Sequence, residues 1–184
     1  MVIDEKGLLA VMKAAYKKQS TGYKVAAQSR EDDEAEELIL SAPGWTAIID
    51  RENAPRKVMG LIVEHLGDLP RDGTAFQVQD KNAQAEIFSV AVPSPAKLVP
   101  GAQVKRTNLT YNGYQIWQRT DNHDVFMLAP KFEDMMDNYN REVRLTEDGM
   151  FYVEGVASRL YLLPLQVMQN DLPVLHHLAK LKWV

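Results

Sequence analysis

The stretch Val104-Lys-Arg-Thr-Asn-Leu-Thr-Tyr-Asn-Gly-Tyr-Gln-Ile-Trp-Gln-Arg-Thr120 holds two β-type runs around Asn112-Gly113. Asn-Gly tolerates positive φ at both central positions of a type I′ turn, the geometry that joins two antiparallel strands directly. A two-residue loop also sets the register, because a slip by one residue sends every side chain to the opposite face. Carried outward without interruption, the turn places Tyr111 opposite Tyr114 and Leu109 opposite Ile116, on the side facing a core. The other face then pairs Thr110 with Gln115, Asn108 with Trp117 and Arg106 with Arg119.

Short elements of both kinds surround this hairpin. Asp4 is placed to cap a helix reaching about Gln19, with Leu8, Leu9, Met12, Ala15 and Tyr16 as its apolar stripe. Tyr23, Val25 and Ala27 alternate as a strand, and Leu38–Leu40 and Trp45–Ile49 form two more around Pro43-Gly44. Val58, Met59, Ile62, Val63 and Leu66 recur at helical spacing within 54–66, ended by Gly67. Two strands follow near 74–80 and 84–92. Beyond the hairpin come a strand at Val125–Leu128, a helix at 130–139, and a second hairpin at 142–154 that turns on Glu147-Asp148-Gly149. Leu160–Leu163 is a last strand. A C-terminal helix beginning at Asn170 or Asp171 buries Leu175, Leu178 and Leu181.

These elements define an α+β fold. Short connections make the sheets mainly antiparallel, with helices packed on one face. Both halves read strand, strand, strand, helix, hairpin, which raises the prospect of two similar lobes. Pro93, Pro95, Pro100 and Gly101 fall close together and mark 93–102 as a linker between an N-terminal lobe (1–92) and a C-terminal lobe (103–184). A single domain over 1–184 is the alternative division.

Composition excludes several classes. The chain has 184 residues, 46% of them hydrophobic and 25% charged, and no cysteine. This is ordinary globular chemistry, with neither a disulfide scaffold nor wholesale disorder. Lysine and arginine number 21 against 25 acids, a net charge of −4. A protein that coats nucleic acid or anionic lipid usually carries a basic excess, so contact of that kind here requires a local patch. The acidic start of the chain has no long apolar run, so neither a signal peptide nor a membrane span is expected, and the reading places the protein in the cytoplasm.

Catalytic signatures are sparse. No nucleophile elbow, P-loop, dinucleotide fingerprint or zinc-protease helix occurs. Ser94-Pro95-Ala96-Lys97 matches Ser-x-x-Lys but sits in the proline-rich segment without a partner motif. His176 and His177 are adjacent, so on a helix they point about 100° apart. His65 follows Glu64 on the polar side of its helix, and His123-Asp124 lies beside a turn. The acidic run from Ser29 to Glu37 reads as a solvated loop or a frayed helix turn. Its Glu31, Asp32, Asp33 and Glu34 lack the spacing and central glycine of a calcium loop. No metal and no cofactor is assigned.

Two groups of cations stand out. Arg106 opposite Arg119 is a like-charge pair that strands normally avoid. With Trp117 on the same face, these side chains are suited to gripping a phosphate and stacking a base, or to gripping a carboxylate-rich partner. Alternatively a helix covers Trp117, and Asp121 or the acidic run neutralises the arginines. Arg56 and Lys57 occupy the first turn of the 54–66 helix, where the dipole favours anions, with Arg51 nearby as a second anion-binding candidate. The reading is a non-enzymatic binding or regulatory protein with a protein partner. Nucleic-acid or nucleotide binding through Arg106, Trp117 and Arg119 is the first alternative. A small enzyme with an unrecognised acid–base site is the second.

Overall fold

In the computed structural model, residues 1–17, 21–32, 35–80, 85–92, 97–138, 141–165 and 171–180 are described. Helix α1 (Glu5–Lys17) begins where Asp4 accepts the Gly7 amide hydrogen bond on its side chain at 2.8 Å. That bond satisfies one of the donors a helix N-terminus leaves open. Strands β1 (Tyr23–Ser29), β2 (Glu36–Ala42) and β3 (Trp45–Asp50) form a meander, with Gly44 at φ 94° in the β2–β3 turn. A 3-10 turn (Arg51–Asn53) leads into α2 (Arg56–Leu66), which Gly67 ends in the left-handed conformation. Strands β4 (Ala75–Val78) and β5 (Ala85–Ile87) complete the first half.

The second half repeats that order with β6 (Leu98–Tyr111), β7 (Tyr114–Arg119), β8 (Val125–Leu128), α3 (Pro130–Glu133), β9 (Val143–Thr146) and β10 (Phe151–Glu154). Strand β11 (Ser158–Leu162) and α4 (Leu172–Ala179) follow. The strands make one sheet in the order β5-β4-β1-β2-β3-β11-β10-β9-β6-β7-β8, with every pair antiparallel. Within it, β5-β4-β1-β2-β3 and β10-β9-β6-β7-β8 follow the same path, and β11 joins them by pairing with β3. The fold is therefore α+β and antiparallel.

Part of the segment read as a linker is strand, because Leu98 and Gln103 pair with Thr146 and Arg144 of β9. Pro93 and Pro95 lie outside the described residues, as do Ser94, Asp33, Glu34 and Leu181. The helix expected at 130–139 is shorter, ending at Glu133.

Burial divides by strand alternation. One face carries Val25, Leu40, Ala47, Leu160, Val153, Val143, Val104 and Trp117, packed against Leu8 and Met12 of α1, Val58 and Ile62 of α2, and Phe132 of α3. The opposite face is also covered. Ile39, Ile48, Tyr152 and Tyr161 meet Val90, with Val92 and Leu98 at their margin. Leu175 of α4 packs on Ile116 and Met127. Buried residues of α1 to α3 thus belong to the cluster on one face, and Leu175 of α4 to a cluster on the other. Ile116 and Met127 are apolar in strands whose other face is already buried, so they need a second cover.

Candidate functional site

Asn112 and Gly113 have φ of 50° and 80°, and Tyr111 faces Tyr114, as the turn dictates. The expected register ends there. Thr110 faces Gln115, but Arg106 faces Trp117 and Arg119 faces Val104, because β6 carries two extra residues between Arg106 and Thr110. This bulge has its own scaffold. The Gln115 side-chain amide donates to the carbonyls of Thr107 and Leu109, each at 2.8 Å, and of Ile116 at 3.1 Å. The Thr107 hydroxyl donates to the Ile116 carbonyl at 2.8 Å and accepts from the Leu109 amide at 3.1 Å. Two extra residues return the strand to the same face alternation, so the error displaces partners without inverting faces.

Arg106, Trp117 and Arg119 accordingly share one face, the two arginines as diagonal neighbours and not as a direct pair. Each arginine has a carboxylate. Arg106 pairs through Nε with the buried Glu133 of α3, and Arg119 donates from Nε to Asp121 at 2.8 Å. Asp121 was foreseen as a neutralising group, whereas Glu133 was not. The Asp121 hydrogen bond holds the Arg119 guanidinium above its ordinary pKa and the Asp121 carboxyl below its own. Trp117 is fully buried, its ring 5.6 Å from that of Phe151, so it presents no surface on which an external base could stack.

Beside these residues lies a cleft of about 420 Å³. Strand β9 stops at Val143, opposite Val104, while β6 continues as far as Tyr111. Residues 103–108 of β6, with Asn138 and Arg141, form the walls. Among these residues are Lys105, Arg106 and Arg141 and no carboxylate. Both faces of β6 contribute side chains, so the cleft straddles the strand's edge. Arg141 is braced from behind by Asp137, at 2.6 Å from Nε and 2.8 Å from Nη2, and donates to the Met1 carbonyl at 3.2 Å. Lys105 is exposed.

The second cation group does not converge on one point. Arg51 pairs with Glu36 and donates to the Pro70 carbonyl at 3.3 Å. Lys57 lies 3.6 Å from Glu5, and Arg56 is exposed on the first turn of α2.

Two polar clusters escaped the sequence reading. His65, read as a polar-face residue, is buried: its Nδ1 is 2.9 Å from the Tyr23 hydroxyl, and its ring stacks on Tyr16 with centroids 3.6 Å apart. Burial lowers its pKa and raises that of Tyr23. Glu37, read as part of a solvated acidic run, is 1% exposed and held by Arg159, with Arg30 at 3.6 Å. Neither had a local signal, because the partners come from other elements. Tyr152 faces Arg144, which forms ion pairs with Glu142 and Glu154, and its ring is buried.

Among the described residues no helix is long and apolar enough to cross a membrane, and no three His, Cys, Asp or Glu side chains are grouped to hold a metal ion. No family model, no curated protein and no solved structure matches the chain.

Proposed function

We propose that this protein is a binding module that holds an acidic segment of a protein partner in the cleft beside β6. The observation that carries the reading is the cleft's charge: Lys105, Arg106 and Arg141 with no carboxylate among the wall residues. Glu133 and Asp137 sit behind the two arginines and fix their side chains before a ligand arrives. Pre-positioning of that kind reduces the entropy lost on binding. Guanidinium and ammonium groups both donate charge-assisted hydrogen bonds to a carboxylate. Nucleic acid is disfavoured because Trp117 is inaccessible for stacking and the chain is acidic overall.

Fluorescence anisotropy with a labelled deca-glutamate peptide and a labelled single-stranded deca-thymidine tests the proposal. The peptide is expected to bind, to weaken with salt, and to weaken at least fivefold in Lys105→Glu. Absence of peptide binding at low salt, or tighter binding of the oligonucleotide, overturns it.

A further inference from the structure

The same cleft marks a break in the sheet, and we infer that its partner binds by strand addition, an acidic extended segment pairing through its main chain with the flank of β6 beyond Val104 that faces away from β7. This rests on the reading of the cleft as an acidic-segment site and adds the mode of binding. The last β6–β9 pair is Val104 with Val143, and β6 then runs on from Lys105 to Tyr111 with β7 as its only strand neighbour among the described residues.

Main-chain direction along this stretch follows from its hydrogen bonds. The Thr120 amide donates to the Gln103 carbonyl at 2.9 Å, so Gln103 faces β7. Tyr111 and Tyr114 close a two-residue turn, so Tyr111 faces β7 as well. Between them, the Thr107 and Leu109 carbonyls point to the Gln115 amide on the β7 side. Alternation turns the main-chain groups of Asn108 and Thr110 the other way, along the line β9 would occupy if it were longer. An open strand edge of this kind pairs with an extended peptide through main-chain hydrogen bonds, while flanking side chains choose the sequence.

Charge selects an acidic occupant. Lys105 and Arg106 stand on opposite faces of β6, with Arg141 at the end where β9 begins. A strand laid along the edge therefore meets Lys105 on one face and the Glu133-braced Arg106 on the other. Lysine on an edge also opposes pairing with a second, like-charged copy of the same strand. That leaves a segment of opposite charge as the favoured guest.

The test uses the full chain and an eight-residue peptide of alternating glutamate and threonine. Two variants carry N-methyl groups on the odd or on the even residues, and deca-glutamate serves as reference. In strand addition only one set of peptide amides faces β6. One methylated variant is then expected to lose at least tenfold in affinity while the other binds as the parent does. Bound peptide should also slow hydrogen exchange at the Asn108 and Thr110 amides. Equal binding by both methylated variants and the parent overturns strand addition, as does equal weakening of both. So does binding of deca-glutamate without that protection. These outcomes leave the cleft reading standing, whereas failure of every acidic peptide to bind removes both.

Discussion

Glu37 of β2 accepts two hydrogen bonds from Nη2 of Arg159 in β11, at 2.8 and 2.9 Å, across the intervening strand β3. The two residues are 122 positions apart, and the contact ties strands of the first half of the chain to those of the second. A carboxylate so nearly excluded from water depends on its partner, because Coulomb attraction must offset lost hydration. Arg159→Met should therefore destabilise the fold by about 3–5 kcal/mol in urea denaturation, the range for removing one member of a buried pair. The double variant with Glu37→Gln should recover most of that loss. A single-variant loss below about 1 kcal/mol, typical of a surface pair, would show that the contact contributes little.

Gln115 supports the bulge in β6. Replacing it with leucine leaves the Thr107 and Leu109 carbonyls without their amide donor. An unmet buried acceptor costs about 1–3 kcal/mol. Gln115→Leu is expected to lower stability by that order and to shift amide resonances across residues 106–110. Resonance changes confined to residue 115, with stability unchanged, would refute its role as a strut.

His65 predicts an acid-sensitive fold. Burial against Tyr16 and Tyr23 lowers its pKa below that of an ordinary histidine, outweighing the opposing pull of Glu64 and Asp80. The unfolded chain thus takes up a proton at a higher pH than the folded one. This group's stabilising effect is present above about pH 6.5 and is lost as pH falls below it. The melting temperature of the wild type should fall between pH 7 and pH 5 more steeply than that of His65→Gln. Parallel pH profiles for the two proteins would contradict this.

Two helical glycines should respond in opposite directions to alanine. A Cβ at Gly7 would lie 1.9 Å from the Asp134 carbonyl oxygen, so α1 and the end of α3 would have to separate. At Gly60, on the exposed side of α2, a Cβ meets nothing within 4 Å. Alanine in a helix is favoured over glycine by about 1 kcal/mol, so Gly60→Ala should raise the melting temperature. Gly7→Ala should lower it despite the same propensity gain. Stabilisation at both positions would mean that the α1–α3 approach is not close.

Much of this architecture was legible in the chain because its signals are local. Asp4 as a cap, Gly67 as a helix stop, Pro43-Gly44 and Asn112-Gly113 as turns all act through a few neighbouring residues. Each stands where the spacing requires. The repeated strand-strand-strand-helix-hairpin order could be read for the same reason. The anion-site candidates were only partly legible. Arg106, Trp117 and Arg119 do share a face, but the bulge at Thr107–Leu109 moved the partners, and Glu133 and Asp121 took up the arginines. The cleft itself had no signature, since it arises from strands β6 and β9 of unequal length meeting side by side.

By itself, then, the sequence determined the element types, the antiparallel preference and the places of the tight turns, all products of short-range sterics and hydrophobic period. Tertiary structure alone decided which strands became neighbours, which carboxylates were buried, and where one strand outruns the next. Those outcomes depend on pairings between residues far apart in the chain. Glu37 acquires meaning only when Arg159 arrives beside it, and β6 outruns its neighbour because β9 ends at Val143.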